Sequence, residues 1–152
     1  MNKRQQQLRE QFGSLIARAG RQWRRAVDRR LQPFGLTEAT WLPLIYLARA
    51  SEPMRQKDLA AALVLDGSSV VRLLDALEAA GLIERRPEST DRRAKIITVT
   101  GRGLGIVDRV EAASREVRHA TLNGVSAEDI EAATRVLEMV CRNLSKQLDG
   151  EA

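Results

Sequence analysis

The side chains best suited to chemistry lie between residues 68 and 95, and they are hydrogen-bond donors rather than catalytic groups. Ser68, Ser69 and Arg72 come first, and a cationic group follows them along the chain. That cationic group consists of Arg85, Arg86, Arg92, Arg93 and Lys95. Guanidinium, ammonium and hydroxyl groups bind phosphate oxygens and base edges. The set therefore predicts contacts with DNA, and the alternative is a hairpin whose charges are only solvated.

The composition offers little from which to build an enzyme. His119 and Cys141 are the only histidine and cysteine, so neither a disulfide framework nor a cysteine-based zinc site can form. We expect Cys141 to be a small buried residue, with a redox switch as the alternative. The run from Gly101 to Gly105 does not follow the G-x-G-x-x-G spacing, and we expect a turn into the next helix there. The sequence thus predicts no enzyme, no cofactor and no metal site.

The first element that must position these groups is a helix over residues 66–81. Asp66 is a good N-cap, because its carboxylate can accept a hydrogen bond from a free amide of the first turn. Gly81 can adopt the left-handed conformation that ends a helix. Apolar residues recur at helical spacing, at Val70, Leu73, Leu74, Leu77 and Ala80. The opposite face then carries Ser68, Arg72 and Asp75, with Ser69 beside it.

The segments around this helix predict a winged helix-turn-helix. Residues 82–86 suit a short strand, residues 87–91 a loop, and the β-branched stretch 92–100 a returning strand. A short helix over 55–62 and a turn at 63–65 precede the long helix, although any corner between two helices would also fit. In a winged helix, the helix enters the major groove and the hairpin lies along the backbone or in the minor groove.

The two ends of the chain predict long amphipathic helices. One covers residues 8–32, and a second helix, Glu38–Arg49, follows with Thr37 as its N-cap. After the hairpin, a helix reaches about residue 122 and another starts at Ser126, with apolar residues spaced as in a coiled coil. We therefore expect a mainly α (α+β) fold with about six helices and a two-stranded β wing. The terminal helices form a dimer interface or, alternatively, cover their own core.

Charge and composition narrow the class of partner. The net charge is +5, but residues 1–32 hold nine basic and two acidic residues, whereas residues 33–100 hold nine of each. The DNA-binding segment must therefore place its cations locally. Aromatic residues make up only 3%, which argues against base-stacking platforms. No apolar run approaches a membrane span, and the polar start of the chain lacks the apolar stretch of a signal peptide, so we expect a cytoplasmic protein.

Three stretches together resemble a known family. Residues 75–85 read DALEAAGLIER, residues 91–95 read DRRAK, and Val99-Thr100 follows. This pattern resembles the MarR family of bacterial transcription regulators, and residues 23–31 with Leu36-Thr37 and Trp41 are similar to its SlyA branch. The resemblance implies one MarR-type domain over 1–152, with a DNA-binding lobe at 33–100 and dimerisation helices at 8–32 and 101–150.

The same resemblance implies roles for individual residues. Asp91 would steady Arg93 while Arg92 reaches into the minor groove, where a narrow groove favours a guanidinium. It also implies a response to small aromatic acids or phenols. Trp23 and Trp41 are most simply core aromatics. The alternative is that they line a ligand pocket in which Arg21 holds a carboxylate, and Thr37 completes the predicted ligand-binding residues.

Two hypotheses for function follow. The first is a homodimeric, sequence-specific transcription regulator, a repressor on a pseudo-palindromic operator, that a small aromatic or phenolic ligand releases. The second is a ligand-independent architectural DNA-binding protein or an anti-silencer that competes for DNA. Both require double-stranded DNA and a homodimer, and they differ in the ligand.

Overall fold

The computed structural model describes residues 2–91 and 93–150, and within them it has six α-helices and three short strands. The order along the chain is α1 (Lys3–Leu31), a 3₁₀ turn (Gln32–Phe34), α2 (Glu38–Arg49), β1 (Met54–Arg55), α3 (Gln56–Leu63), α4 (Gly67–Ala79), β2 (Ile83–Pro87), β3 (Lys95–Val99), α5 (Gly101–Leu122) and α6 (Ala127–Asp149). The predicted fold class, a mainly helical winged helix, is confirmed. None of the described helices is long and apolar enough to span a membrane.

The chain forms two compact units, one up to Val117 and one from Arg118 onward. The hydrophobic core belongs to the first unit, where several elements each contribute a side chain with essentially no exposed surface: Leu31, Leu44, Leu59, Leu74 and Ile83. These residues come from α1, α2, α3, α4 and β2 in that order. One continuous apolar cluster therefore fixes α4 and the hairpin to the helices that precede them.

The hairpin strands belong to an antiparallel sheet of order β1-β3-β2. Ile97 of β3 pairs with Arg85 of β2 on one side and with Met54 of β1 on the other. The sequence predicted a two-stranded wing, and β1 was missed because two residues are too short to show a period. The returning strand begins at Lys95 rather than at residue 92, so the loop between the strands is longer than predicted.

Helix α4 has the ends and faces that the sequence predicts. Asp66 accepts a hydrogen bond from the backbone N–H of Ser69 at 2.7 Å, and Gly81 has φ +73°. Val70, Leu74 and Leu77 are buried, as the periodicity requires. The residue that joins α3 to α4 is less ordinary. Val64 has φ +54° and is 90% exposed, a backbone conformation that is strained for a β-branched residue.

The glycines at the start of α5 lie inside the helix, so the predicted turn over residues 101–105 is wrong. Thr100 caps this helix, because the backbone N–H of Gly103 donates to its Oγ1 at 3.1 Å. A Cβ on Gly103 would collide with the carbonyl oxygen of Leu82 and lie 2.6 Å from Cγ1 of Val99. The glycine is needed there because the helix passes directly over the backbone at the base of the hairpin.

Helix α6 begins at its predicted cap, with the backbone N–H of Asp129 donating to Ser126 Oγ at 3.1 Å. None of its residues is buried. Leu144 is about half exposed and Leu148 is 72% exposed. Cys141 is also exposed, so the prediction that it is buried is wrong. The reason is that the neighbours of Cys141 in the apolar stripe of α6, Leu137 and Leu144, are themselves exposed.

Candidate DNA interface and ligand cavity

The exposed face of α4 carries the first group of predicted DNA contacts. Ser68 and Arg72 are exposed, and Ser69 is half-buried. Within the described part of the chain, Arg72 has no carboxylate partner. Its guanidinium is therefore available to a phosphate or to a guanine edge. Val70, Leu74 and Leu77 of α4 face the core, so packing holds this polar face outward.

Asp66 and Ser68 form a cap rather than two separate contacts. The Ser68 hydroxyl donates to Asp66 Oδ1 at 2.8 Å, and the backbone N–H of Ser69 donates to the same oxygen. These hydrogen bonds, with the Ser69 amide first, lower the pKa of Asp66 below its usual value. Ser68 could also accept a hydrogen bond, but its proton is already directed at the carboxylate.

Arg85 is held by two carboxylates of α4. Its Nη2 donates to Asp75 Oδ1 at 2.7 Å and to Glu78 Oε1 at 3.0 Å, while its Nε and backbone N–H donate to Glu78 Oε2. The Arg85 side chain is only 19% exposed. Its hydrogen bonds lower the pKa of Glu78, and the same contacts raise the pKa of Arg85. The sequence predicted that Arg85 contacts DNA, whereas in the structure Arg85 forms a bridge between β2 and α4.

Two other arginines of this region also have carboxylate partners. Arg86 donates to Glu84 on the same strand at 3.0 Å from Nε and 2.5 Å from Nη2, but its side chain is 68% exposed. Arg55, which the sequence analysis did not single out, forms an ion pair with Glu88 at the far end of β2. Arg86 can exchange its exposed partner for a phosphate at low cost, since exposed ion pairs contribute little.

The loop between β2 and β3 holds the remaining predicted cations. The backbone N–H of Arg93 donates to Asp91 Oδ1 at 2.9 Å. The carboxylate thus steadies this loop through a main-chain amide, whereas the resemblance implied a pairing with Arg93 itself. Arg93 and Lys95 are exposed. Arg92, the predicted minor-groove residue, lies outside the described residues.

A cavity of about 530 Å³ lies between α1, α2 and α5 in the first unit. Its walls include both tryptophans, and the indole N–H of Trp41 donates to Asp28 Oδ1 at 3.0 Å. Trp41 is buried, whereas Trp23 is 36% exposed. A volume of this size suits a small organic ligand. Trp23 and Trp41 were both predicted from the sequence as ligand-binding residues.

The cations at this cavity differ from the predicted one. Arg24 and Arg49 line it, whereas Arg21 and Thr37 do not. Arg49 is held by Glu111 through two hydrogen bonds of 2.9 and 3.1 Å, while Arg24 is only 3.9 Å from Glu38. Helical spacing could have found Arg24, because it lies one turn before the buried Val27. Arg21 lies six residues before Val27 and is therefore rotated about 120° from it.

Within residues 2–91 and 93–150, no group of three or more metal-ligating side chains comes together.

Comparison with known proteins finds similarity to transcriptional regulators. A model described as the MarR family matches residues 34–94, which span α2 to the hairpin loop. The crystal structure of the transcriptional regulator PA3341 is 37% identical, with a TM-score of 0.82, over 89% of this chain and 98% of that chain. CouR from Rhodococcus jostii RHA1, solved bound to p-coumaroyl-CoA, is 28% identical with a TM-score of 0.73 over 88% and 93%. MepR from S. aureus, solved as a DNA complex, is 26% identical with a TM-score of 0.71 over 87% and 97%.

Proposed function

Because this chain belongs to the MarR family of transcriptional regulators, we propose that it represses transcription as a homodimer on a pseudo-palindromic operator, until a small aromatic or phenolic acid releases it. In this proposal residues 33–100 form the DNA-binding lobe, and residues 8–32 and 101–150 form the dimerisation helices. A relative of known structure binds DNA, and another binds an aromatic acyl-CoA.

The observation that carries the DNA-binding part is the outward face of α4. Arg72 lies on it without a carboxylate partner among the described residues, next to a hairpin whose Arg93 and Lys95 are exposed. A helix of this kind reads base edges in the major groove while the hairpin contacts the backbone.

Footprinting the purified protein on the promoter beside its own gene tests this proposal. A symmetric dimer should protect two half-sites about one helical turn apart. Addition of the protein to in vitro transcription from the same promoter should lower the yield of transcript. A single protected half-site would contradict the dimer, and increased transcription would contradict the repressor.

Arg92 provides a sharper test of the wing. We expect Arg92→Ala to weaken operator binding and to reduce the slope of log affinity against log salt by about one, because one cation that displaces counterions from the DNA is lost. Fluorescence anisotropy at several salt concentrations measures both quantities. Arg142→Ala, on α6, is the control and should leave the slope unchanged. An unchanged slope for Arg92→Ala would contradict the prediction that the wing contacts DNA.

The ligand part of the proposal rests on the cavity lined by Trp23 and Trp41. The two indoles offer an apolar wall for a ring, and Arg24, with its distant partner Glu38, is the cation free to bind a carboxylate. A panel of salicylate-like acids should raise the melting temperature of the wild-type protein. Arg24→Met should remove this shift for acids and keep it for neutral phenols. No shift with any compound would favour the ligand-independent architectural protein.

A further inference from the structure

Arg85 connects strand β2 to helix α4 through its hydrogen bonds to Asp75 and Glu78. We propose that Arg85 is a positioning residue, which fixes the rotation of α4 relative to the hairpin, and that it does not itself contact DNA. This inference rests on the proposed DNA binding, and it concerns the sequence specificity of that binding.

The first argument comes from the hydrogen bonds. All four of the bonds that Arg85 donates to these acids start from β2 and end on α4. The backbone N–H and Nε donate to Glu78 Oε2, and Nη2 donates to both Glu78 Oε1 and Asp75 Oδ1. To reach a phosphate, the guanidinium would have to leave two carboxylates unpaired. Charge-assisted bonds of this kind are the stronger class of hydrogen bond. Arg86, by contrast, has one exposed partner on its own strand.

The second argument concerns the direction in which the bridge acts. The apolar face of α4 rests on the core through Val70, Leu74 and Leu77, which sets the side of the helix that faces inward; apolar burial is non-directional, whereas hydrogen bonds fix the rotation more finely. Asp75 lies on the opposite face, three residues after Arg72. A hydrogen-bonded tether on that face therefore determines where Arg72 points.

The third argument is electrostatic. Asp75 and Glu78 are acidic groups on a helix that approaches a polyanion, with side chains that are 58% and 41% exposed. Unneutralised, they would repel phosphate. Arg85 cancels much of this repulsion, so its charge already has a function within the protein.

Glu78→Gln separates positioning from simple electrostatics, because a charge effect acts on any duplex and leaves the affinity ratio between two duplexes unchanged, whereas loss of positioning lowers that ratio. Removal of a negative charge near DNA should tighten binding if only charge matters. If Arg85 positions α4, the affinity ratio between the footprinted duplex and a scrambled duplex of equal length should fall about tenfold, the size of one mismatched base pair. Glu84→Gln is the matched control, since it removes one negative charge from the neighbouring strand β2, where Glu84 pairs with Arg86, and leaves Arg85 bound to α4. We expect the control to keep or raise the specific affinity.

Arg85→Lys is the second variant, and it carries the test if Glu78→Gln fails to fold. Lysine keeps the charge but lacks the planar fork that reaches both carboxylates. We expect it to lower the affinity ratio about tenfold with an unchanged salt slope. A ratio equal to that of the wild type, or a Glu78→Gln variant that binds as Glu84→Gln does, would overturn the proposal.

The proposed function and this inference fail in distinguishable ways. If the wild type does not discriminate between the two duplexes, sequence-specific regulation fails, whatever the variants do. If the wild type discriminates and the variants behave like the control, only the positioning role fails. Amide hydrogen exchange without DNA adds an independent measure, since loss of the bridge should speed exchange in α4 and leave exchange in α6 unchanged.

Discussion

Helices α4 and α6 have similar sequence patterns, but their apolar stripes differ in burial. Both begin with a side-chain cap, at Asp66 and at Ser126, and both carry an apolar stripe at helical spacing. The stripe of α4 is buried within its own unit, whereas no residue of α6 is buried. An apolar stripe therefore shows that a helix needs a partner surface, but the stripe alone does not tell whether the same chain supplies it.

The two apolar stripes therefore contribute to different processes, one to folding and the other to association. Burial of Val70, Leu74 and Leu77 contributes to folding of the first unit. The exposed apolar side chains of α6 can gain the same kind of free energy only by association, which is why we propose the second copy of the chain as their partner.

Leu74→Ala should give the largest effect, because Leu74 has no exposed surface. We expect the free energy of unfolding to fall by about 2–5 kcal/mol, from lost burial and the cavity left behind. Urea denaturation followed by circular dichroism measures this change. Leu148→Ala, at a position that is 72% exposed, is the control; measured at protein concentrations too low for dimerisation, it should change the free energy by less than about 0.5 kcal/mol. Equal effects would mean that the two stripes do not differ.

Leu144→Asp addresses the proposed association. In a two-fold interface the substitution occurs twice, so we expect the dimer dissociation constant to rise about 100-fold, roughly 1.4 kcal/mol for each copy. Sedimentation equilibrium measures the constant, and helix content should stay unchanged. Arg142→Ala, which removes a residue from a 4.0 Å pair with Glu138, serves as the control. An unaltered dissociation constant would exclude this stripe from the interface.

The turns that lead into the two helices should also differ in backbone strain. Gly124, before α6, has φ +82°, which costs a glycine nothing, whereas Val64, before α4, has φ +54°. We expect Val64→Gly to raise the free energy of unfolding by about 1 kcal/mol, since it relieves backbone strain at an exposed side chain. Thermal denaturation measures the gain. A loss of stability would show that Val64 packs against a surface in the folded protein.

The two caps should differ in their response to pH. The pKa of Asp66 is lowered in the folded state, so its contribution to stability is present above its ordinary value and is lost as pH falls through the lowered one. Asp66→Asn keeps a good cap that does not titrate. Between pH 7 and pH 3, the wild type should therefore lose more stability than the variant in urea denaturation. The substitution Ser126→Ala should lower stability equally at both pH values.

Local patterns were enough to predict the elements and the outward face of α4. The faces of α4, its cap and the bounds of α2 followed from periodicity and capping, which act within a few residues. The partners of the arginines did not follow, because Arg85 meets Asp75 and Glu78 only after the chain has turned from α4 into β2. A cluster of basic residues in the sequence thus does not distinguish Arg85, which is held within the protein, from Arg72.

Two further differences have the same origin. The sequence placed Cys141 in a buried seam, but burial of α6 requires a surface outside that helix. Arg21 was chosen from a run of arginines, whereas the cavity selects Arg24 by the side of α1 that meets α2 and α5. Contacts between distant segments decide both cases.

The glycine at position 103 makes the start of α5 inseparable from the base of the hairpin. With no side chain between them, the helix backbone lies against the Leu82 carbonyl and a Val99 methyl group, in a contact that leaves no room for a larger residue. We therefore expect a tilt of α5 to move the base of the hairpin as well. Because Val110 and Ser114, further along the same helix, line the cavity, a change there can be transmitted to the hairpin.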